Sequence, residues 1–299
     1  MHRPHSFQAA DAALLALTVV WGASYAIVKN AMAQVEPLAF NAIRFCGGTA
    51  VMLALAWLVE RDPFGLPRRE WKLVFLLGLI GHFAHLVTFI TGIARTTATN
   101  SSLIISSAPI FVALLGTLDR SEHMRARNWL GILLSFLGIF LVVTAAGPGL
   151  HLQRQTLVGD LLSLASAILW AIYLVLSRRL LQRVSALHAT AWTMVAAAPL
   201  LALVALPGLR ALDWHALSGA AWFGMAYSGI LTIGVGNVVW YVGVQRIGGS
   251  RASLYSYITP LVTVAVAWML LGELLKPLQA LGALAVLLGI ALARQSDGA

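Results

Sequence analysis

Apolar residues gather along this chain into long runs parted by short polar connections, as in Leu73–Ile93 and the run that ends with Leu281–Ala293. A run near 20 residues matches the roughly 30 Å hydrocarbon layer of a bilayer at a rise of about 1.5 Å per residue. In lipid each backbone amide must find its partner within its own segment, so these runs are predicted to be helices. A membrane β-barrel needs polar and apolar residues in alternation, and none is visible. Ten spans follow: Ala10–Met32, Pro37–Val59, Trp71–Ile93, Ala98–Leu118, Asn128–Ala146, Val158–Leu180, Leu187–Leu206, Leu217–Val244, Ala252–Leu271 and Pro277–Ala293. The connections are too short to hold a soluble domain. The first span is expected to stay in the chain, because it is about twice the length of a signal-peptide core and ends at Lys29 rather than at a small-residue cleavage site.

Composition strengthens this picture. Of the 299 residues 60% are hydrophobic and only 10% charged, whereas soluble domains carry about 25% charged residues. The net charge of +9 does not point to nucleic acid, because the basic residues sit between apolar runs rather than along one stripe. They set an orientation instead. With the N-terminus in the cytoplasm, 14 basic residues fall on the inner connections and five (Lys29, Arg95, Arg154, Arg210, Lys276) on the outer ones. Both termini are therefore expected inside, in a bacterial inner membrane. The single cysteine, Cys46, lies in an apolar run and reads as a small packing residue, so no disulfide frame or cysteine zinc site is expected. The dipeptide Gly-Lys never occurs, which leaves no Walker-type phosphate loop. No cofactor is expected.

The two halves resemble each other at a nearly fixed displacement. At 149 residues Asp11 matches Asp160, Trp21 matches Trp170, and Lys29 matches Arg178. At 151 residues Trp71, Gly78, Gly92, Arg95, Pro109, Glu122, Gly131 and Gly138 match Trp222, Gly229, Gly243, Arg246, Pro260, Glu273, Gly282 and Gly289. Coincidences of Trp, Pro, Arg and Glu are informative because these types are sparse here, and duplication explains them. The units are residues 10–146 and 158–293. Five spans per unit is an odd number, so the second enters the membrane from the opposite side. The fold expected is an all-α integral membrane protein of ten transmembrane helices in two inverted five-helix repeats, an architecture that many secondary transporters use to open a midplane site to each side in turn.

Particular motifs carry a family resemblance. They are Trp21-Gly22-Ala23-Ser24 in the first span, Arg44 shortly after Pro37, and Ser253-Leu254-Tyr255-Ser256-Tyr257-Ile258-Thr259-Pro260-Leu261 running into Leu271-Gly272-Glu273. Together they resemble the EamA-type branch of the drug/metabolite transporter superfamily, over Ala12–Thr144 and Gly159–Ala293. The resemblance implies ten helices, cytoplasmic termini and export or exchange of small metabolites, amino acids often among them. The first unit departs from the pattern with Arg120-Ser121-Glu122 in place of Leu271-Gly272-Glu273.

Several residues are candidates for the transport site. Arg44 is the one formal charge well inside a span, and intramembrane charges are costly. It is read either as a partner for an anion such as a carboxylate, or as an interfacial anchor that snorkels outward or binds helix-end carbonyls. Pro109 and Pro260, near the middle of the fourth and ninth spans, break their helices' hydrogen bonding, with Ser106, Ser107, Ser256 and Thr259 near to satisfy freed carbonyls, and are read as hinges, gates or site-lining breaks in preference to a bland kink. His82 and His85 lie one turn apart beside Thr88 and Thr91, and either carry a coupling proton or pack. Metal binding is not indicated, since no acidic companion lies in a span. No Asp or Glu sits deep in a span, so a carboxylate proton relay is not expected, and the expected drive is mainly the substrate gradient, or a weak coupling through histidine.

Trp21, Trp170, Tyr173, Asn237, Trp240, Tyr241, Tyr255 and Tyr257 are candidates for lining a cavity that takes an amphipathic solute. Trp71 and Trp222, near span starts, read as interface-belt residues. The glycines Gly131 with Gly138 and Gly282 with Gly289 read as close helix packing. The function expected is a secondary transporter, an exporter of small organic metabolites by alternating access, and not an enzyme. The alternatives are an intramembrane enzyme acting on a lipid-linked substrate and a passive metabolite channel. The partners expected are a small-molecule substrate and membrane lipid, with a homodimer left open and nucleic acid excluded.

Overall fold

A computed structural model describes residues 9–60, 66–118, 126–144, 154–247 and 255–294. Among these residues the chain forms ten helical rods. We number them α1 (Ala9–Ala31), α2 (Pro37–Val59), α3 (Arg68–Arg95), α4 (Ala98–Ile105 and Ala108–Leu118), α5 (Ala126–Thr144), α6 (Arg154–Leu181), α7 (Ala186–Ala211), α8 (Gly219–Ala226, Tyr227–Val235 and Gly236–Ile247), α9 (Ser256–Ile258 and Thr259–Leu271) and α10 (Pro277–Arg294). Seven rods are long and apolar enough to cross a membrane, and α5, α9 and α10 contain shorter apolar helices. The protein is a multi-pass, all-α membrane protein.

Local chemistry sets where the rods begin. Glu36 caps α2 by accepting from the Ala39 N–H at 2.8 Å, with Pro37 in the first turn, where its missing N–H costs nothing. Thr97 and Ser185 cap α4 and α7 in the same way. α7 runs through Pro199 and Pro207 to Ala211, beyond the end expected at Leu206, as membrane helices tolerate proline where neighbours re-satisfy the backbone. α9 stops at Gly272, whose φ of 66° is the left-handed conformation that glycine adopts without a Cβ penalty. The N–H groups of Gly272 and Glu273 bond back to Trp268 and Ala267, which turns the chain sharply.

Two rods contain wide π-helical turns, Gly78–Ala84 in α3 and Tyr227–Val235 in α8. The displacement of 151 maps the first onto residues 229–235, inside the second. Such turns are rare and cluster at functional sites. The prolines behave differently from a mid-helix kink. In α4 a turn at Ser106 and Ser107 separates two helices, and Pro109 lies in the first turn of the second; Pro260 likewise lies in the first turn of Thr259–Leu271. The hydroxyls of Ser106 and Ser107 bond the Ser102 and Ile104 carbonyls at 2.7 and 2.6 Å.

Helix packing treats the halves alike. α2 packs on α7 and α5 on α10; α1 packs on α8 and α9, as α6 packs on α3 and α4; α2 packs on α8 as α7 packs on α3. Glycines carry the correspondence to single residues. A Cβ on Gly229 would strike the Arg44 backbone, and one on Gly78 would strike that of Thr193. Arg44 and Thr193 are themselves 149 apart. Gly243 meets Leu14 as Gly92 meets Ser163, again a pair 149 apart. Where α5 crosses α10, Gly138 lies against Gly282 and Gly289 against Gly131, close enough to exclude any side chain.

The outward surface is apolar, with side chains such as Leu58, Leu133, Leu203 and Met269 more than half exposed. Trp71 and Trp222 belong to it too, as expected of residues near span starts. Cys46 corrects the sequence reading, for it is exposed rather than packed. α2 buries Asn41, Phe45, Gly48 and Met52, and a helical period of 3.6 residues puts Cys46 on the outward side with Gly47 and Ala50.

Candidate functional site

Arg44 does not reach an interface. Its residue is 3% exposed, held in the middle of the bundle because α2 crosses α8 where Gly229 lets the backbones touch. Its Nε donates to Asn41 Oδ1 at 3.1 Å, one turn earlier. The guanidinium lies 5.3 Å from the Phe89 ring centroid and 5.9 Å from that of Phe40, within reach of cation–π attraction. Tyr25 of α1 stands edge-on to Phe89 at 5.6 Å. Nη2 is buried with no partner, and among the described residues no carboxylate pairs with the guanidinium. A buried guanidinium with an empty donor face fits a carboxylate or similar anion, which the planar fork can bind through two parallel bonds.

An aromatic ladder runs from this point across the boundary between the halves. His85 stacks on Phe89 at 6.3 Å and meets Trp170 at a tilt at 5.1 Å, Trp170 stacks on Tyr173 at 5.1 Å, and Tyr173 meets His82 at 5.2 Å. The histidines are tied down by hydrogen bonds. His82 Nε2 lies 3.1 Å from Thr193 Oγ1, and His85 Nδ1 lies 2.9 Å from Ser166 Oγ and 3.0 Å from the Ser166 carbonyl. Thr88 and Thr91 bond to carbonyls of their own helix and extend no relay. The structure therefore joins five sequence-predicted residues, Arg44, His82, His85, Trp170 and Tyr173, in one cluster.

The remaining candidates gather elsewhere. Trp21 packs on Trp240 at 5.4 Å and its Nε1 donates to the Thr232 carbonyl at 3.2 Å. Gly236 stands against this indole as His85, 151 residues earlier, stands against Trp170. Asn237 spends its amide on the Ile233 carbonyl of its own helix, and Tyr241 lies on the same rod, half-buried. Tyr255 donates to Asp11 at 2.8 Å, a tie between α1 and α9 rather than a free cavity wall. The Tyr257 side chain lies outside the described residues, as do Glu122 and the segment 248–254.

Sequence reasoning missed Phe40, Asn41, Tyr25 and Phe89. Phe40 and Asn41 were within reach, since they stand four and three residues before Arg44 on one helix face. Tyr25 and Phe89 meet only through packing. It also missed a polar network at the end of the bundle where α3 passes to α4. Glu273 accepts from the Ala98 and Thr99 N–H groups at 2.9 and 3.1 Å, closing the open end of α4. Lys29 lies 3.7 Å from Glu273 and donates to the Thr96 carbonyl. Asp160 accepts from Thr96 and Asn100, and Gln279 donates to Asn100 at 2.9 Å. Lys29, Asp160 and Glu273 all stood among the repeat matches, which was the available signal.

Comparison with known proteins gives the family and the fold. The EamA-like transporter family matches residues 8–144 and again 157–295. A Bacillus subtilis protein named "Uncharacterized transporter YyaM" is 29% identical over 93% of this chain and 90% of its own. A "Probable terminal-alkyne amino-acid exporter" of Streptantibioticus cattleyicolor is 26% identical over 94% of this chain and 91% of its own. One crystal structure superposes with a TM-score of 0.69 over 94% of this chain and 95% of that one at 20% identity, a likeness of fold. The protein is thus a membrane transporter and not an enzyme, and it belongs to the EamA-like transporter family.

Proposed function

We propose that the chain is a ten-span carrier of two inverted five-helix repeats, residues 10–146 and 158–293. It exports small organic metabolites, amino acids or related compounds first among them, from the cytoplasm across a bacterial inner membrane. The observation that carries the reading is the guanidinium of Arg44, which among the described residues meets no carboxylate and leaves Nη2 without a partner, sealed among aromatic rings beside the crossing of α2 and α8. A bilayer makes such a charge costly unless a partner arrives, and a substrate carboxylate is that partner. The ring ladder then receives the solute's apolar portion. The mirrored π-turns and matched glycine crossings support two similar halves that exchange conformations about this point. The amino-acid cargo in the name of the Streptantibioticus relative supports the substrate class, and the 14-to-5 split of basic residues supports cytoplasmic termini.

The experiment is counterflow in reconstituted vesicles with a panel of labelled amino acids. A carrier saturates and accumulates label against unlabelled solute inside, whereas a passive channel does neither. The broken rods α4 and α9 serve as gates in this reading. Pro260→Ala lets α9 continue through its break, so exchange falls severalfold while the melting temperature in detergent stays near wild type. Full exchange activity in that variant removes the hinge.

A further inference from the structure

Asp160 stands in the second turn of α6 and is 2% exposed. Its Oδ1 accepts from Thr96 Oγ1 at 2.6 Å and from Asn100 Nδ2 at 3.3 Å, while Oδ2 is buried and accepts nothing. An ionised carboxylate presents acceptor sites on both oxygens and calls for compensation at each. Among the described residues, the charges facing it from the surrounding rods do not supply it. The Lys29 charge of α1 acts on Asp160, yet its ammonium is engaged by the Thr96 carbonyl and by Glu273. Arg95 of α3 touches Gly159 through its backbone and is itself exposed. From α9–α10, Glu273 holds the N–H groups of Ala98 and Thr99, Gln279 turns its amide to Asn100, and the Lys276 backbone N–H bonds Gln279. This arrangement suits a carboxyl that carries a proton.

We propose that Asp160 is a proton-binding site of the transport cycle, and that its occupancy decides where Lys29 sits. With the proton on Asp160, Lys29 stays with Glu273 and Thr96. Glu273 then holds the start of α4, and α1, α4, α6 and α9–α10 are drawn together at this end. When the proton leaves to water, the carboxylate draws the Lys29 ammonium from Glu273, and the tie between α1 and the α9–α10 turn parts. Lys29 keeps its own proton throughout. The inference rests on the alternating-access reading and supplies its coupling ion. It also revises the expectation of a carrier without a carboxylate, which counted distance along the span and could not see that a group near a span end is fully enclosed.

The test uses full-length protein in lipid with Cys46→Ser and spin labels at Ala33→Cys, just beyond α1, and Leu274→Cys, in the α9–α10 turn, both exposed positions. The label separation is expected to be short on the acid side of neutrality and longer on the alkaline side. Asp160→Asn, which imitates the protonated form, is expected to stay short at both. Lys29→Met is expected to be long at both. A separation that ignores pH in the wild-type background, or a pH response retained by Asp160→Asn, overturns the proposal. Should Asp160→Asn fail to fold, Asp160→Glu keeps the carboxyl and is expected to displace both the midpoint of the transition and the infrared carbonyl band of the protonated acid. An unmoved midpoint and band count against the site. None of these readouts needs a substrate, so a failed counterflow assay strikes the transport reading and leaves this result to stand or fall alone.

Discussion

Replacing Arg44 with glutamine is expected to slow exchange of a carboxylate-bearing solute by about tenfold to a hundredfold, the equivalent of one hydrogen bond to a charged group at roughly 1.5–3 kcal/mol. Stability is expected to move the other way or not at all. Among the described residues the guanidinium makes one hydrogen bond, from Nε to Asn41, and Nη2 meets no partner, so its removal relieves a buried charge at the loss of a single bond. Arg44→Lys retains charge but lacks the planar fork and is expected to fall between wild type and glutamine. Initial exchange rates in vesicles, set beside melting temperatures in detergent, separate the two roles. A variant that loses stability in step with activity would make Arg44 a structural residue.

The second large effect falls on the glycines where backbones touch. Gly229→Val and Gly78→Val each place a side chain against backbone atoms, Arg44 O in one case and Thr193 O in the other. Overpacking of this kind costs about 1–3 kcal/mol or more where backbone must shift. Both variants are expected to unfold at lower temperature by similar amounts, because an added Cβ meets a backbone carbonyl at nearly the same distance in each, 2.6 Å at Gly78 and 2.7 Å at Gly229. Gly47→Val and Gly219→Val are the controls, since nothing lies within 4 Å of a Cβ at either place. Thermal unfolding of the four proteins checks the ranking. A Gly229→Val as stable as Gly47→Val would mean that α2 and α8 do not cross at Arg44.

Much of the architecture was legible because a bilayer imposes one solution on an apolar run of the right length. The rods follow the expected spans within a few residues at most ends, and Gly78 with Gly229 and Gly92 with Gly243, each pair 151 residues apart, meet partners that are 149 apart. What sequence could not carry is geometry without a change in polarity. The π-turns at Gly78–Ala84 and Tyr227–Val235 have the same hydropathy as the helices around them. Cys46 went wrong because an all-round apolar helix shows no moment to tell its lipid side from its core side. Among the site residues, His82, His85, Trp170 and Tyr173 were found as separate candidates, and only packing joins them to Arg44. The network of Lys29, Asp160 and Glu273 is not legible in sequence because its members lie 113 to 244 residues apart and each alone reads as a group near a span end.

The inverted repeat itself is tested most directly by single-cysteine accessibility in intact cells, in the Cys46→Ser background. Ala33 follows α1 and Gln182 follows α6, 149 residues later, and both are exposed. The account predicts that a membrane-impermeant thiol reagent labels Ala33→Cys from outside, and labels Gln182→Cys only after the cells are opened. Labelling of both positions from the same side would mean that the two units point the same way, and would contradict it.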